Sequence, residues 1–341
     1  MSWMNAVWGL PVAIPVFVVS ATVIGVAGVR LARVVDRLAD RTGLGEAIAG
    51  MVLLAGATSL AGLVVSIVAA LSGEPSLAVS NSAGGIAAQT AFIVVADLAY
   101  RRINLEHAAA SLINIFSSLL MVVMLSLVLL GATSPPVTLA GVHPATALLL
   151  LSYGYGLVLS RKVGREPMWK PTRTTATRTD VPESDDGTEP TRRLWGGFVG
   201  LTAAVLFAGF GIGRAGVSIA EQSALTGTTV GTFLTSVATS LPELVTTVAA
   251  VRAGALTLAV AGIVGGNTFD LLFIAGADVA YRQGSIYHAV TSTDLFVLAW
   301  TMLLIGVIAA GLVRRQREGI GFEGIAVLGI YLGGLVIIST G

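Results

Sequence analysis

The chain reads as an all-α membrane protein: ten transmembrane helices arranged as two five-helix repeats of inverted topology. Composition, an internal repeat and the distribution of arginine carry that expectation. Of 341 residues, 55% are hydrophobic and only 11% charged, and the mean hydropathy is +0.86. Soluble domains carry roughly 25% charged residues, so this chain cannot cover a water-facing surface. With no cysteine it has neither disulfides nor thiolate metal sites. Residues 1–30 lack the basic start of a signal peptide, and their apolar run outlasts the roughly 7–15 residues of a signal core.

Displaced by 181 positions, the chain lies on itself. Thr58-Ser59-Leu60 falls on Thr239-Ser240-Leu241, Gly84-Gly85 on Gly265-Gly266, Asp97 on Asp278, Tyr100-Arg101 on Tyr281-Arg282 and His107 on His288. About two dozen identities run without a gap over roughly 59 positions. Self-similarity at half the chain length, with polar residues inside apolar runs, is the mark of a transporter built from two related halves.

Spanning a bilayer takes about 20 apolar residues per helix. Five such runs, at 9–30, 45–71, 77–100, 108–132 and 138–160, fill a first repeat, residues 1–160. Residues 161–193, rich in Thr, Pro, Asp and Arg and nearly free of aliphatic side chains, form a linker with no means of building a core. Five more runs, at 194–217, 226–250, 256–280, 289–312 and 321–340, make the second repeat, residues 194–341. An odd number of spans per half makes the second half enter from the opposite side. Eighteen of the twenty Lys and Arg fall after odd-numbered helices; the exceptions are Arg214 and Arg282. That bias places the linker in the cytoplasm and both termini outside the cell membrane.

Charges deep in a bilayer are costly and mark function. Most carboxylates lie in loops, the linker or helix ends, but Glu243 and Asp270 lie deep. On a helix Thr239 and Ser240 share a face with Glu243, and Asn267 shares one with Asp270. Pro242 has no N–H, so the Ala238 carbonyl loses its helical partner. Hydroxyls, carboxylates and a freed carbonyl form the all-oxygen set that hard cations prefer. Glycines at 262, 265 and 266 are expected to let helices approach closely. In the first half Thr58 and Ser59 repeat the hydroxyls, but Ala61 stands for Pro242, Gly62 for Glu243 and Gln89 for Asp270. The site is therefore lopsided, with two negative charges at most.

These residues resemble the cation/calcium exchanger superfamily, which includes the sodium/calcium exchangers. Ala57-Thr58-Ser59-Leu60 and Ala238-Thr239-Ser240-Leu241-Pro242-Glu243 are similar to its two alpha-repeat signatures, and Gly265-Gly266-Asn267-Thr268-Phe269-Asp270 to the Gly-Ser-Asn element of the second. The resemblance implies antiport of Ca2+ against Na+ or H+ by alternating access. It assigns Thr58, Ser59, Thr239, Ser240, Glu243 and Asp270 as ion ligands, with Gln89 at a polar ligand position. The family has glutamate where Gly62 stands and serine where Gly85 and Gly266 stand. Those departures imply reduced coupling, two monovalent ions or protons per divalent ion, or another cargo.

No phosphate-binding Gly-x-x-x-x-Gly-Lys-Ser/Thr loop occurs, so ion gradients supply the drive. No cofactor and no nucleic-acid partner is expected; the partners are membrane lipids and the transported cations. An intramembrane enzyme using Glu243 and Asp270 as an acid/base pair would leave the repeated hydroxyls without a role. The alternative with more in its favour is a transport-inactive or altered-specificity relative, exchanging monovalent cations with H+ or serving as scaffold or sensor. Asp97 and Asp278 are expected as solvated caps or local ion pairs beside arginine, and Asp294 as a helix-start residue. His107, His143 and His288 receive structural roles, and Trp3, Trp8, Trp195 and Trp300 roles as interfacial anchors or packing.

Overall fold

A computed structural model describes residues 7–42, 53, 55–100, 104–108, 111–165, 190–253, 256–316 and 320–340. Trp3, Arg101 and most of the expected linker lie outside these. The described residues are almost wholly helical: α1 (Leu10–Thr42), α2 (Ala55–Leu71), α3 (Pro75–Tyr100), α4 (Leu105–Ala108), α5 (Leu112–Thr133), α6 (Pro144–Arg165), α7 (Thr191–Gln222), α8 (Gly227–Thr239), α9 (Leu241–Ala253), α10 (Leu256–Asp270), α11 (Leu272–Ala280), α12 (Ile286–Ala289), α13 (Ser292–Arg314) and α14 (Gly321–Thr340).

Among the described residues seven helical spans are long and apolar enough to cross a membrane, and eight if the bent pair α8–α9 counts as one. The protein is a multi-pass membrane protein. α2 has 17 described residues. α6 carries Arg161, Lys162 and Arg165 at its end, which dilutes its hydropathy.

α3 is the axis of the bundle. Its apolar window is 89% buried, against 28% for those of α1 and α7. It is also less apolar than the other spans because it contains Ser80, Asn81, Ser82, Gln89 and Thr90, all of them buried. α1 and α7 pack chiefly on each other at the flank, and α2 lies between α7 and α3.

Close approaches recur at the repeat interval. A Cβ on Gly28 of α1 would lie 2.6 Å from Cγ of Pro242, and one on Gly209 of α7 would lie 2.8 Å from Cα of Ala61. Both members of each pair are displaced by 181, so one contact is made twice. The glycine expected to bring helices together at 262 has open space instead; its repeat counterpart is Asn81.

Asp97 and Asp278 are not solvated. They are 7% and 0% exposed, and each accepts from the backbone N–H eight residues on: Leu105 at 2.7 Å and Ile286 at 3.1 Å. The short helices α4 and α12 fold back over the ends of α3 and α11 and exclude water there. Asp278 also takes the His143 N–H at 2.8 Å and the Thr146 hydroxyl at 2.7 Å. Asp294 completes a capping box with Thr291 and accepts hydroxyls of Ser76 and Thr228, both at 2.6 Å. Trp300 is packing rather than anchor: it is buried, stacks on Tyr331 and donates to the Ile330 carbonyl at 2.8 Å.

Candidate functional site

The chain breaks at the site. α8 contains a π-helical turn over Val230–Thr235, and it meets α9 at a 45° bend. Ser240 sits at the bend with φ −92° and ψ 1°, and Pro242 follows in the first turn of α9. π-turns and proline both interrupt the regular ladder, which aims Ser240 and Glu243 inward from a helix start.

Glu243 and Asp270 are 7% and 2% exposed and near enough to repel each other. No basic side chain pairs with either among the described residues. Gln89 of α3 links the halves: its Nε2 donates to Asp270 Oδ2 at 2.7 Å and to Ser240 Oγ at 3.1 Å. Gln89 and Asp270 are themselves repeat counterparts. Thr58 of α2 faces Glu243, and Ser59 faces Asp270. Thr239 is buried beside them, but its hydroxyl donates back to the Thr235 carbonyl at 2.9 Å. Of the expected residues, six therefore converge with side chains on one another, and Thr239 gives its proton to the helix.

Oxygen atoms are left over. Both Glu243 oxygens, Asp270 Oδ1, Ser59 Oγ, Gln89 Oε1 and Asn267 Oδ1 are buried without a hydrogen-bond donor. An unpaired buried acceptor costs about 1–3 kcal/mol, and a buried unpaired carboxylate far more. Protons or a cation among these oxygens would remove that cost. The donor set is oxygen only and carries two anions, which suits a hard cation.

Several polar residues around the cluster were not marked by the repeat. Ser82 donates to the Asp270 carbonyl at 2.7 Å. Asn81 donates to the Gly62 carbonyl at 3.1 Å and to Ser66 at 3.0 Å, and accepts from Thr235 at 2.7 Å. Asn267 donates to Thr90 at 3.3 Å. The signal available for them was polarity itself: Ser80-Asn81-Ser82 is a polar triplet inside an apolar run.

Gly62, the counterpart of Glu243, is blocked. A Cβ there would lie 3.0 Å from Cζ of Phe273. Phe273 is held edge-on to Phe269, with ring centroids 6.2 Å apart, and Phe269 edge-on to Tyr153 at 6.1 Å. An aromatic wall stands where the first half would supply an acid.

Apolar spans around a buried, oxygen-lined pair of carboxyl groups at a helix break define a polytopic membrane protein with a polar interior cluster. The family model described as "Sodium/calcium exchanger protein" matches residues 12–161 and 193–340, and the chain belongs to that family. The inner membrane protein YrbG of Escherichia coli is 34% identical over 119 residues, 35% of this chain and 34% of that one. The sodium/calcium exchanger MaX1 of Methanosarcina acetivorans is 31% identical over 123 residues, 36% of this chain and 34% of that one. The matched stretch thus spans about a third of each relative's length. Among solved structures, the H+/Ca2+ exchanger CAX has the same fold, with a TM-score of 0.68 over 96% of this chain and 85% of that one at 14% identity. The sodium-calcium exchanger NCX_Mj soaked with Na+ and Sr2+ gives 0.61 over 96% and 99%, also at 14% identity.

Proposed function

We propose that this protein is a secondary-active antiporter that carries Ca2+ in exchange for Na+ or H+ by alternating access. The observation that carries this reading is the buried pair Glu243 and Asp270, with no basic partner among the described residues and with the oxygens of Thr58, Ser59, Ser240 and Gln89 around it. Folding does not bury two carboxylates without a compensating charge, and no basic group among the described residues supplies one. The cargo ion, or protons in its place, is the compensation. Glu243 and Asp270 neutralise it; Ser59, Thr58, Ser240 and Gln89 complete the shell, with Thr239 contributing a lone pair.

The same reading takes the chain as ten spans in two inverted five-helix repeats, residues 1–160 and 194–341, with a cytoplasmic linker at 161–193 and both termini outside. Support comes from contacts made twice at the repeat interval: Gly28 on Pro242 and Gly209 on Ala61, Asp97 to Leu105 and Asp278 to Ile286. In this reading the flanking α1–α7 pair, whose largest single contact is between its two members, moves against the rest and exposes the cluster to each side in turn.

Gly62 favours a second reading, an altered-specificity relative that handles monovalent cations and H+, since the Phe273 ring removes the place for a third acid. Radiolabelled calcium uptake into proteoliposomes, first with a sodium and then with a proton gradient, tests the first reading. Uptake should appear with one gradient and fall at least tenfold in Glu243→Gln and in Asp270→Asn. Absence of uptake under both gradients, with Na+- or pH-dependent thermal stabilisation retained, would move the conclusion to the second reading.

A further inference from the structure

A cavity of about 530 Å³ opens where the end of α1 meets the start of α7, and four guanidinium groups line it: Arg30, Arg33 and Arg37 from α1 and Arg193 from α7. We propose that this cavity binds the phosphate headgroup of an anionic phospholipid, whose acyl chains lie along the neighbouring apolar faces of α1 and α7.

Residues 30, 33 and 37 share one face of a helix, and that face turns toward the first turn of α7. Every charged residue lining the cavity is basic, although the chain as a whole carries a net charge of only +1. A bias of arginine toward one side of a membrane accounts for their number. It does not account for their convergence, from two helices, on a hollow.

Two glycines create that hollow. A Cβ on Gly196 would meet nothing within 4 Å, and one on Gly197 would meet only Val34 Cγ2 at 3.9 Å. Larger residues would fit sterically, so packing does not demand glycine here; open space beside the arginines is what the two supply. Arg37 and Arg193 hold other partners as well, and a guanidinium has five N–H donors. Forked donors match the geometry of a phosphate.

A lipid, rather than a free anion, is indicated by what adjoins the cavity. One to two turns toward the apolar interior, Val23 and Val26 of α1 and Val199 of α7 are exposed, and beside Leu194 the ring of Trp195 is 39% exposed, as in an interfacial belt. Charge at the rim and bare aliphatic surface below it fit an amphiphile with a phosphate at its head.

The test uses the full-length protein exchanged into phosphatidylcholine mixed micelles and then offered phosphatidylglycerol, with retained lipid counted by native mass spectrometry. The parent should retain phosphatidylglycerol over phosphatidylcholine. Gly196→Leu, which fills the hollow and leaves all four arginines, should weaken that retention by roughly tenfold. The triple variant Arg30→Lys, Arg37→Lys, Arg193→Lys keeps the charge that orients the chain but loses the forks, and should weaken it by about threefold or more. Unchanged melting in phosphatidylcholine alone shows that each variant is folded. The proposal is overturned if the parent holds both lipids equally, or if both variants retain phosphatidylglycerol as the parent does. Complete displacement of phosphatidylglycerol by millimolar inorganic phosphate would also overturn it, by identifying the occupant as a free anion.

Discussion

Gly62 and Phe273 act as one unit. The ring occupies the volume that any side chain at 62 would need, and it is buried, with 4% exposure, so it has little freedom to retreat. Gly62→Ala alone should cost about 1–3 kcal/mol through overpacking, and Phe273→Ala alone about 3–5 kcal/mol through the cavity it leaves. Combined, the two should cost less than their sum by about 0.5–3 kcal/mol, the usual coupling of residues in contact, read as a double-mutant cycle of thermal unfolding. Simple additivity would mean that the ring does not guard this position. The pairing was invisible in the sequence, where Phe273 is one more apolar residue in an apolar helix. Glu243, Asp270 and Gln89 were legible because a titratable or amide group is costly inside a hydrophobic run unless it serves a purpose there, and because the repeat set Gln89 opposite Asp270. Asn81 had no such help: its counterpart is glycine. Asp97 and Asp278 misled because carboxylates beside arginine at helix ends resemble surface caps; only the return of α4 and α12 over those ends buries them.

Among the elements, α7 sets how closely the flank approaches the site. Gly209 meets Ala61 backbone atoms, with both Cα and the carbonyl oxygen 2.8 Å from the position of an added Cβ, and Gly213 meets Val68 Cβ at 3.0 Å. Glycines four apart on one face are the usual means of close helix approach in lipid. Gly209→Val should push α7 off α2, and because Thr58 and Ser59 lie within one turn of Ala61, the buried polar cluster should deform with it. The expected result is a loss of about 1–3 kcal/mol together with a smaller Ca2+-dependent rise in melting temperature. Gly200→Val on the same helix, where a Cβ meets nothing within 4 Å, should change neither. Pro242 announced a missing ladder hydrogen bond inside a run read as one span, 226–250, and the 45° bend between α8 and α9 falls just before it. The π-turn before the bend was not legible, because Val230–Thr235 contains no residue that demands one. The helical runs themselves were legible from hydropathy. α6 falls short of a full apolar span through the charge at its end.

If the protein is the antiporter proposed above, charge balance across the assembled bundle sets the stoichiometry to expect. The interior holds two carboxylates at the cluster, and no third acid joins them: among the described residues no group of three or more His, Asp or Glu side chains could share an ion. One divalent ion, or two monovalent ions or protons, leaves the cluster neutral in either loaded state. A third monovalent ion would leave a net charge in a medium where unpaired charge is expensive, and the wall formed by Phe273, Phe269 and Tyr153 closes the side from which a further ligand would have to come. Exchange should therefore be electroneutral. In proteoliposomes with a potassium diffusion potential imposed, the calcium accumulation ratio should be the same at zero and at about 100 mV. Three-for-one exchange would move one elementary charge per cycle, worth about 2.3 kcal/mol per 100 mV, which changes that ratio roughly 50-fold. Voltage dependence of that size would mean that a third charge enters the membrane interior, and that oxygens outside the Glu243–Asp270 cluster hold it.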